Sequence, residues 1–103
     1  MEHFNKLSPG EAERLAILAE ECGEVVQAIG KILRHGYEST HPNGGPTNRE
    51  ALERECGDVY YALFLLIGYG DINGNAMSQR ADDKVRSIAP YLHHQKVTEA
   101  GGL

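Results

Sequence analysis

Tryptophan is absent from this 103-residue chain, and two Phe and five Tyr are all its aromatic bulk. A large aromatic core is thereby excluded, and a chain of this length makes one domain with a thin core. Positive charge is also scarce, with 10 Lys and Arg against 15 Asp and Glu and a formal net charge of −5. A chain so balanced does not hold a nucleic-acid polymer by its own charge, and a phosphate-bearing ligand needs a metal or a local basic patch. Long apolar runs are missing too. The strongest, Ala62-Leu63-Phe64-Leu65-Leu66-Ile67, is far too short to cross a bilayer. The N-terminus, Met1-Glu2-His3-Phe4-Asn5-Lys6, is polar with no apolar run behind it, so a cytoplasmic protein with no membrane partner is expected. Cysteine is limited to Cys22 and Cys56, each at an apolar helical position. Both read as buried thiols acting as small hydrophobes rather than as a disulfide or a thiolate metal site. No stretch alternates in the manner of a strand.

What is present is a short motif written twice. Residues 21–25 read Glu-Cys-Gly-Glu-Val and residues 55–59 read Glu-Cys-Gly-Asp-Val. Each copy sets two carboxylates three residues apart, Glu21 with Glu24 and Glu55 with Asp58, and Glu20 adds a fifth acid. On a helix that spacing puts each pair on one face. Two such helices side by side gather four or five carboxylates, which repel and raise one another's pKa. A divalent cation makes the cluster tolerable.

The helices themselves are announced by their ends. Ser8-Pro9-Gly10-Glu11 is a capping box with Pro at the first helical position, and Gly36 offers the stop after His35. Leu15, Leu18, Cys22, Val25, Ile29 and Ile32 form a main seam in that span. Ile17, Glu21, Glu24 and Ala28 run beside it, at the edge of the expected buried surface. Residues 36–46 are rich in Gly, Pro, Asn and Ser and read as a long loop, either a lid or a tolerated insertion. Thr47-Asn48-Arg49-Glu50 is a second capping box, opening a helix that reaches about Ile67 and repeats the first layout. Gly23 and Gly57 correspond, and a helical Gly costs about 1 kcal/mol against Ala. Both are expected where helices approach closely or a ligand needs room. A third helix runs from about Asn75 to Pro90, with Met77, Ala81, Val85, Ile88 and Leu92 as its apolar face. Residues 1–7 form a lead-in, and the tail over about 94–103 is expected to fray.

The fold class expected is all-α, with three amphipathic helices per chain. The second helix is apolar or aromatic over most of its girth from Val59 to Ile67. Oligomerisation is therefore expected, most simply as a symmetric dimer whose helices pair into a four-helix-type bundle.

Oxygen-only ligands favour Mg²⁺, Mn²⁺ or Ca²⁺ over Zn²⁺, with Mg²⁺ the expected cofactor and Mn²⁺ its substitute, and no His stands where a di-iron bundle needs one. Mg²⁺ held by carboxylates with open positions is a handle for phosphates, so hydrolysis of a phosphoanhydride is the chemistry that fits. Lys31, two turns beyond Glu24, and Lys84 and Arg86 on the third helix are the candidates to touch phosphate oxygens.

These residues resemble a known signature. Glu20-Glu21-x-x-Glu24, followed one helix later by Glu55-x-x-Asp58, is similar to the motif of the MazG-like all-alpha nucleotide pyrophosphohydrolases. The resemblance spans roughly residues 11–67 and extends to the third helix. It implies one MazG-like domain over 1–103, assembly into dimers or tetramers, and Mg²⁺-dependent cleavage of a nucleoside triphosphate between its α and β phosphates. It also implies that Glu21, Glu24, Glu55 and Asp58 hold metal, with Glu20, Glu21 and Glu24 as the catalytic acids and Glu20 behind the ligands or positioning the attacking water. The long Gly/Pro connection departs from the family pattern, so the base pocket is not carried over. Two alternatives stand beside this reading. One is a relative acting on a specialised nucleotide such as phosphoribosyl-ATP. The other is a non-enzymatic helical dimer serving interaction or regulation.

Overall fold

The computed structural model describes residues 4–96. It is all-α: α1 spans Pro9–His35, α2 spans Asn48–Gly68 and α3 spans Gly74–Ile88, closing in a short 3-10 turn over Ala89–Tyr91. Among the described residues the only strand-like feature is a single bridge between Thr40 and Thr47. Each predicted helix start is real. Ser8 and Thr47 cap α1 and α2, and Glu11 and Glu50 reach back to complete both boxes. Asn73 caps α3 by accepting from the Ala76 N–H at 2.9 Å. Gly36, at φ 86° and ψ 168°, ends α1 in a backbone region that is essentially reserved for glycine. The α-helix of α3 stops just before Pro90, as a residue lacking an N–H demands.

The chain divides into two compact units, Met1–Asp71 and Ile72–Leu103. In the first, α1 and α2 pack as an antiparallel pair. The start of α1 meets the end of α2 through Arg14, whose guanidinium grips Asp71 with two hydrogen bonds at 2.6 and 3.1 Å. The same group stacks on the Tyr69 ring at 4.3 Å. At the opposite end, the Asn48 side chain donates to the Gly36 carbonyl at 3.0 Å. In the second unit, Met77, Val85, Ile88 and Leu92 are half-buried at helical spacing, while Ala81 is exposed.

The rotational setting of the two long helices differs from the expectation. The side chains that meet between α1 and α2 lie on the stripe of the acids. Ala28 and Ala62 on that stripe, with Leu66 from the expected main seam of α2, are the buried core, and Ile17, Glu21, Glu24 and Glu55 are half-buried around them. The stripe expected to be the main seam is partly open: Leu15 is 44% and Ile29 42% exposed, and Cys22 and Cys56 are both exposed rather than buried. The reason is steric. The small Ala28 and Ala62 allow the acid stripe to turn inward, and Arg14 anchors the same stripe at its end. A Cβ added at Gly23 or Gly57 meets nothing within 4 Å, so close approach within this chain does not explain either glycine. The expected fraying over 94–103 falls largely on 97–103, outside the described residues, as do residues 1–3 of the lead-in.

The 36–46 loop is closed on itself. Backbone N–H groups of Asn48 and Arg49 donate to the Ser39 and Tyr37 carbonyls, both at 2.9 Å. The Arg49 side chain pairs with Glu38 at 2.7 Å and lies over the Tyr37 ring at 4.3 Å. Inside the loop, Asn43 N–H donates to His41 Nδ1 at 3.1 Å, and Gly44 N–H to the His41 carbonyl at 2.8 Å.

Candidate active site

The two motif copies sit 34 positions apart, and so do the buried residues Ala28 and Ala62. In an antiparallel pair this repeat generates a local two-fold relation. Glu24 of α1 faces Glu55 of α2, and the matching contact is Glu21 with Asp58. Carboxylate oxygens of Glu21, Glu24 and Glu55 all lie within 4.8 Å of one another, and all three residues are half-buried. Asp58 is exposed at the rim, close enough to raise the Glu21 carboxyl. Glu20 is exposed on the flank and acts on Glu21 only through its charge.

Burial and three like charges define the electrostatics. The Glu21 carboxyl is pushed above the ordinary glutamate value, first by burial, then by the charges of Asp58, Glu24 and Glu20. Glu55 is pushed up as well, first by its close oxygen contact with Glu24, then by burial. Glu21 Oε2 and Glu55 Oε2 are buried with no hydrogen-bond partner. Buried carboxylate oxygens without donors are costly, and converging ones are what a divalent cation satisfies. The donor set fits that group: all oxygen, anionic and half-enclosed, with no imidazole or thiolate among the three converging ligands.

Beside the acids lies a small pocket of about 90 Å³, lined by Glu24, Gln27, Ala28, Lys31, Asn48, Ala51 and Glu55. Lys31 therefore stands where the sequence places it, on the same side as the acids. It also borders a second cavity of about 550 Å³ under the 36–46 loop, which shares Asn48 and Ala51 with the first. Lys84 and Arg86 belong to α3 in the second unit, where Arg86 donates to Asp83 at 3.0 Å. The structure thus brings Glu21, Glu24, Glu55, Asp58 and Lys31 together. Sequence reasoning missed Gln27 and Asn48. Asn48 reads as a cap-adjacent residue, yet it lies 34 positions after Arg14 and faces the same seam. The Arg14–Asp71 clamp was also unseen, since nothing local connects residues 57 positions apart.

An all-α pair of helices that brings Glu21, Glu24 and Glu55 together at one half-buried point offers a set of oxygens that could hold a metal ion. The comparison with protein families agrees: the MazG nucleotide pyrophosphohydrolase domain matches residues 10–93, and the chain belongs to that family. Neither the curated proteins nor the solved structures contain a significant match.

Proposed function

We propose that the protein hydrolyses a nucleoside triphosphate, ribo or deoxy, between its α and β phosphates in a Mg²⁺-dependent reaction, releasing the monophosphate and pyrophosphate. The observation that carries the reading is the pair of orphaned buried oxygens on Glu21 and Glu55, converging with Glu24 in a chain of this family. Glu21, Glu24, Glu55 and Asp58 would hold the cation, with Mn²⁺ as a substitute. When bound, the cation neutralises phosphate oxygens and lowers the pKa of a ligated water. The chain's own residues do the rest. Glu20, exposed beside Glu21, positions the attacking water, and a carboxylate oxygen of Glu21 or Glu24 not engaged elsewhere accepts its proton. Water adds to a phosphorus of the α–β anhydride, the bridging P–O bond breaks, and its electron pair leaves with the departing phosphate group. Lys31, at the edge of the acid pocket, binds phosphate oxygens.

The exposed apolar face supports self-association. Val26 and Leu33 on α1 are 68% and 82% exposed, and Tyr60 and Phe64 on α2 stack at 6.1 Å while 66% and 67% exposed. Gly23 and Gly57 lie on open faces where they give this chain no packing return. A second copy would cover that surface and complete a four-helix-type bundle, as a homodimer or homotetramer acting as one domain per chain over residues 1–103. No described helix is long and apolar enough to cross a membrane; a cytoplasmic location, as an enzyme of nucleotide pools, is part of the proposal.

The test is a Mg²⁺-supplemented assay over the common NTPs and dNTPs, with pyrophosphate and orthophosphate read separately. Pyrophosphate that disappears in Glu24→Gln and Asp58→Asn is the expected result. Orthophosphate alone would mean γ-cleavage and overturn the reading. Silence on the whole panel with Mg²⁺ binding intact would shift it to a specialised nucleotide such as phosphoribosyl-ATP. Silence without metal binding would leave a helical interaction module.

A further inference from the structure

The cavity of about 550 Å³ under the 36–46 loop is lined by Lys31, Arg34 and His35 from the last turns of α1 and by His41 from the loop. No acid lines it. Among the described residues, neither Lys31 nor Arg34 takes part in an ion pair. His41 accepts the Asn43 N–H at Nδ1, so its neutral ring carries the proton on Nε2 as a free donor. The loop that supplies His41 is held by the Asn48, Arg49 and Gly44 hydrogen bonds and the Arg49–Glu38 pair, so the cavity wall is built before any ligand arrives. The first-turn amides of α2 are not available to a ligand there. Asn48 N–H donates to Ser39, Arg49 N–H to Tyr37 and Glu50 N–H to Thr47 Oγ1. Recognition in this cavity therefore falls to side chains, and the charged ones are all of one sign. Lys31, Asn48 and Ala51 line this cavity and the acid pocket alike, which makes the two spaces neighbours.

We infer that this cavity is an anion subsite that takes the β,γ end of the polyphosphate, the portion that leaves as pyrophosphate. The inference rests on the pyrophosphohydrolase reading for the identity of the anion. A nucleoside base carries no charge to match Arg34 and Lys31, whereas the distal phosphates carry most of the substrate's charge. The basic cavity draws the distal phosphates toward Lys31 and Arg34, away from the acids. The scissile bond is thereby set between the two regions, at the level of Lys31. The 36–46 loop, which walls the cavity, acts as a grip on the leaving group.

The experiment is calorimetric titration of inorganic pyrophosphate, and separately of a nucleoside monophosphate, into the full chain with Mg²⁺ present. Wild type, Arg34→Gln and Arg34→Lys are compared, alongside the KM for the best triphosphate. Arg34→Gln is expected to weaken pyrophosphate binding about tenfold, the effect of losing one charge-assisted contact. KM should rise with it, monophosphate affinity should stay within about twofold, and Arg34→Lys should recover most of the loss. Unchanged pyrophosphate affinity in Arg34→Gln would overturn the inference, as would a loss on the monophosphate instead, which would place the nucleoside end in the cavity. The two readings fail separately. A wild type that turns over no triphosphate but loses pyrophosphate binding in Arg34→Gln would refute the proposed reaction and keep the anion subsite.

Discussion

Replacing Glu55 by glutamine should move the protein in opposite directions with and without metal. In the metal-free state the Glu21, Glu24 and Glu55 oxygens form three repulsive pairs within 4.8 Å. Glu55→Gln removes the two pairs that involve Glu55 and leaves only Glu21 with Glu24. It also sets an amide donor beside the Glu24 oxygen that Glu55 now faces. The chelated variant should therefore melt above the chelated wild type at neutral pH. With metal the order should reverse. At a Mg²⁺ concentration about 100 times the wild-type Kd, linkage stabilises the folded state by about 2.7 kcal/mol. For a domain of this size that is roughly 10–20 °C of Tm. If one lost carboxylate weakens the site about 100-fold, the same Mg²⁺ concentration gives the variant only about 0.4 kcal/mol, or roughly 2–3 °C. Thermal melts in chelator and over a Mg²⁺ series read both halves. A variant that melts lower in chelator yet keeps the full Mg²⁺ shift would refute the reasoning, because the acids would then be a hydrogen-bonded structural cluster and not a cation site.

Four further outcomes are expected. Glu21 and Glu55 titrate above the ordinary glutamate value, so the folded state holds extra protons; their contribution is complete below that ordinary value and is lost as pH rises through the folded one. Asp71, held low by the Arg14 hydrogen bonds, and Glu50, held low by the Thr47 backbone N–H, contribute above their ordinary values and lose it in stronger acid. Chelated protein should thus melt highest in mildly acidic buffer, a maximum that Mg²⁺ flattens on the alkaline side, and a Tm rising steadily to about pH 8 in chelator would contradict this. Leu66→Ala should cost about 2–5 kcal/mol in urea unfolding, since Leu66 is 1% exposed in the last turns of α2. Gly36→Ala should cost about 1–3 kcal/mol through its backbone angle alone, because no atom lies within 4 Å of the added methyl. Gly23→Leu should leave the helix content by circular dichroism intact while shifting the assembly to a smaller size in light scattering; an unchanged mass would remove α1 from any interface.

The helix ends were legible because caps are local. Ser8, Thr47 and Gly36 act within four residues of themselves, and no tertiary contact overrides them. The acid site was legible because helical spacing fixes which side chains share a face, and the repeat supplied two such faces. The rotation of α1 against α2 was not. A count of apolar residues favours the stripe through Leu15, Cys22 and Ile29, yet a single chain has more apolar surface than one partner helix can cover. Two alanines decided which arc turned inward. The loop was opaque for a different reason: its order comes from backbone donors pairing with carbonyls about ten residues away, and such pairs leave no mark in composition.

The 34-residue repeat has a consequence for direction. A cradle built from two equivalent halves cannot by itself tell the head of a ligand from its tail. Its symmetry is broken just outside the acids, where Lys31 on α1 corresponds to Leu65 on α2 and Gln27 to Tyr61. One end of the cradle offers a cation and an amide, the other a hydrocarbon and an aromatic ring. Under the proposed function, a polyphosphate carrying a nucleoside at one end would fit in one orientation only. The duplicated acids do not tell the two ends of the ligand apart; the unduplicated neighbours do.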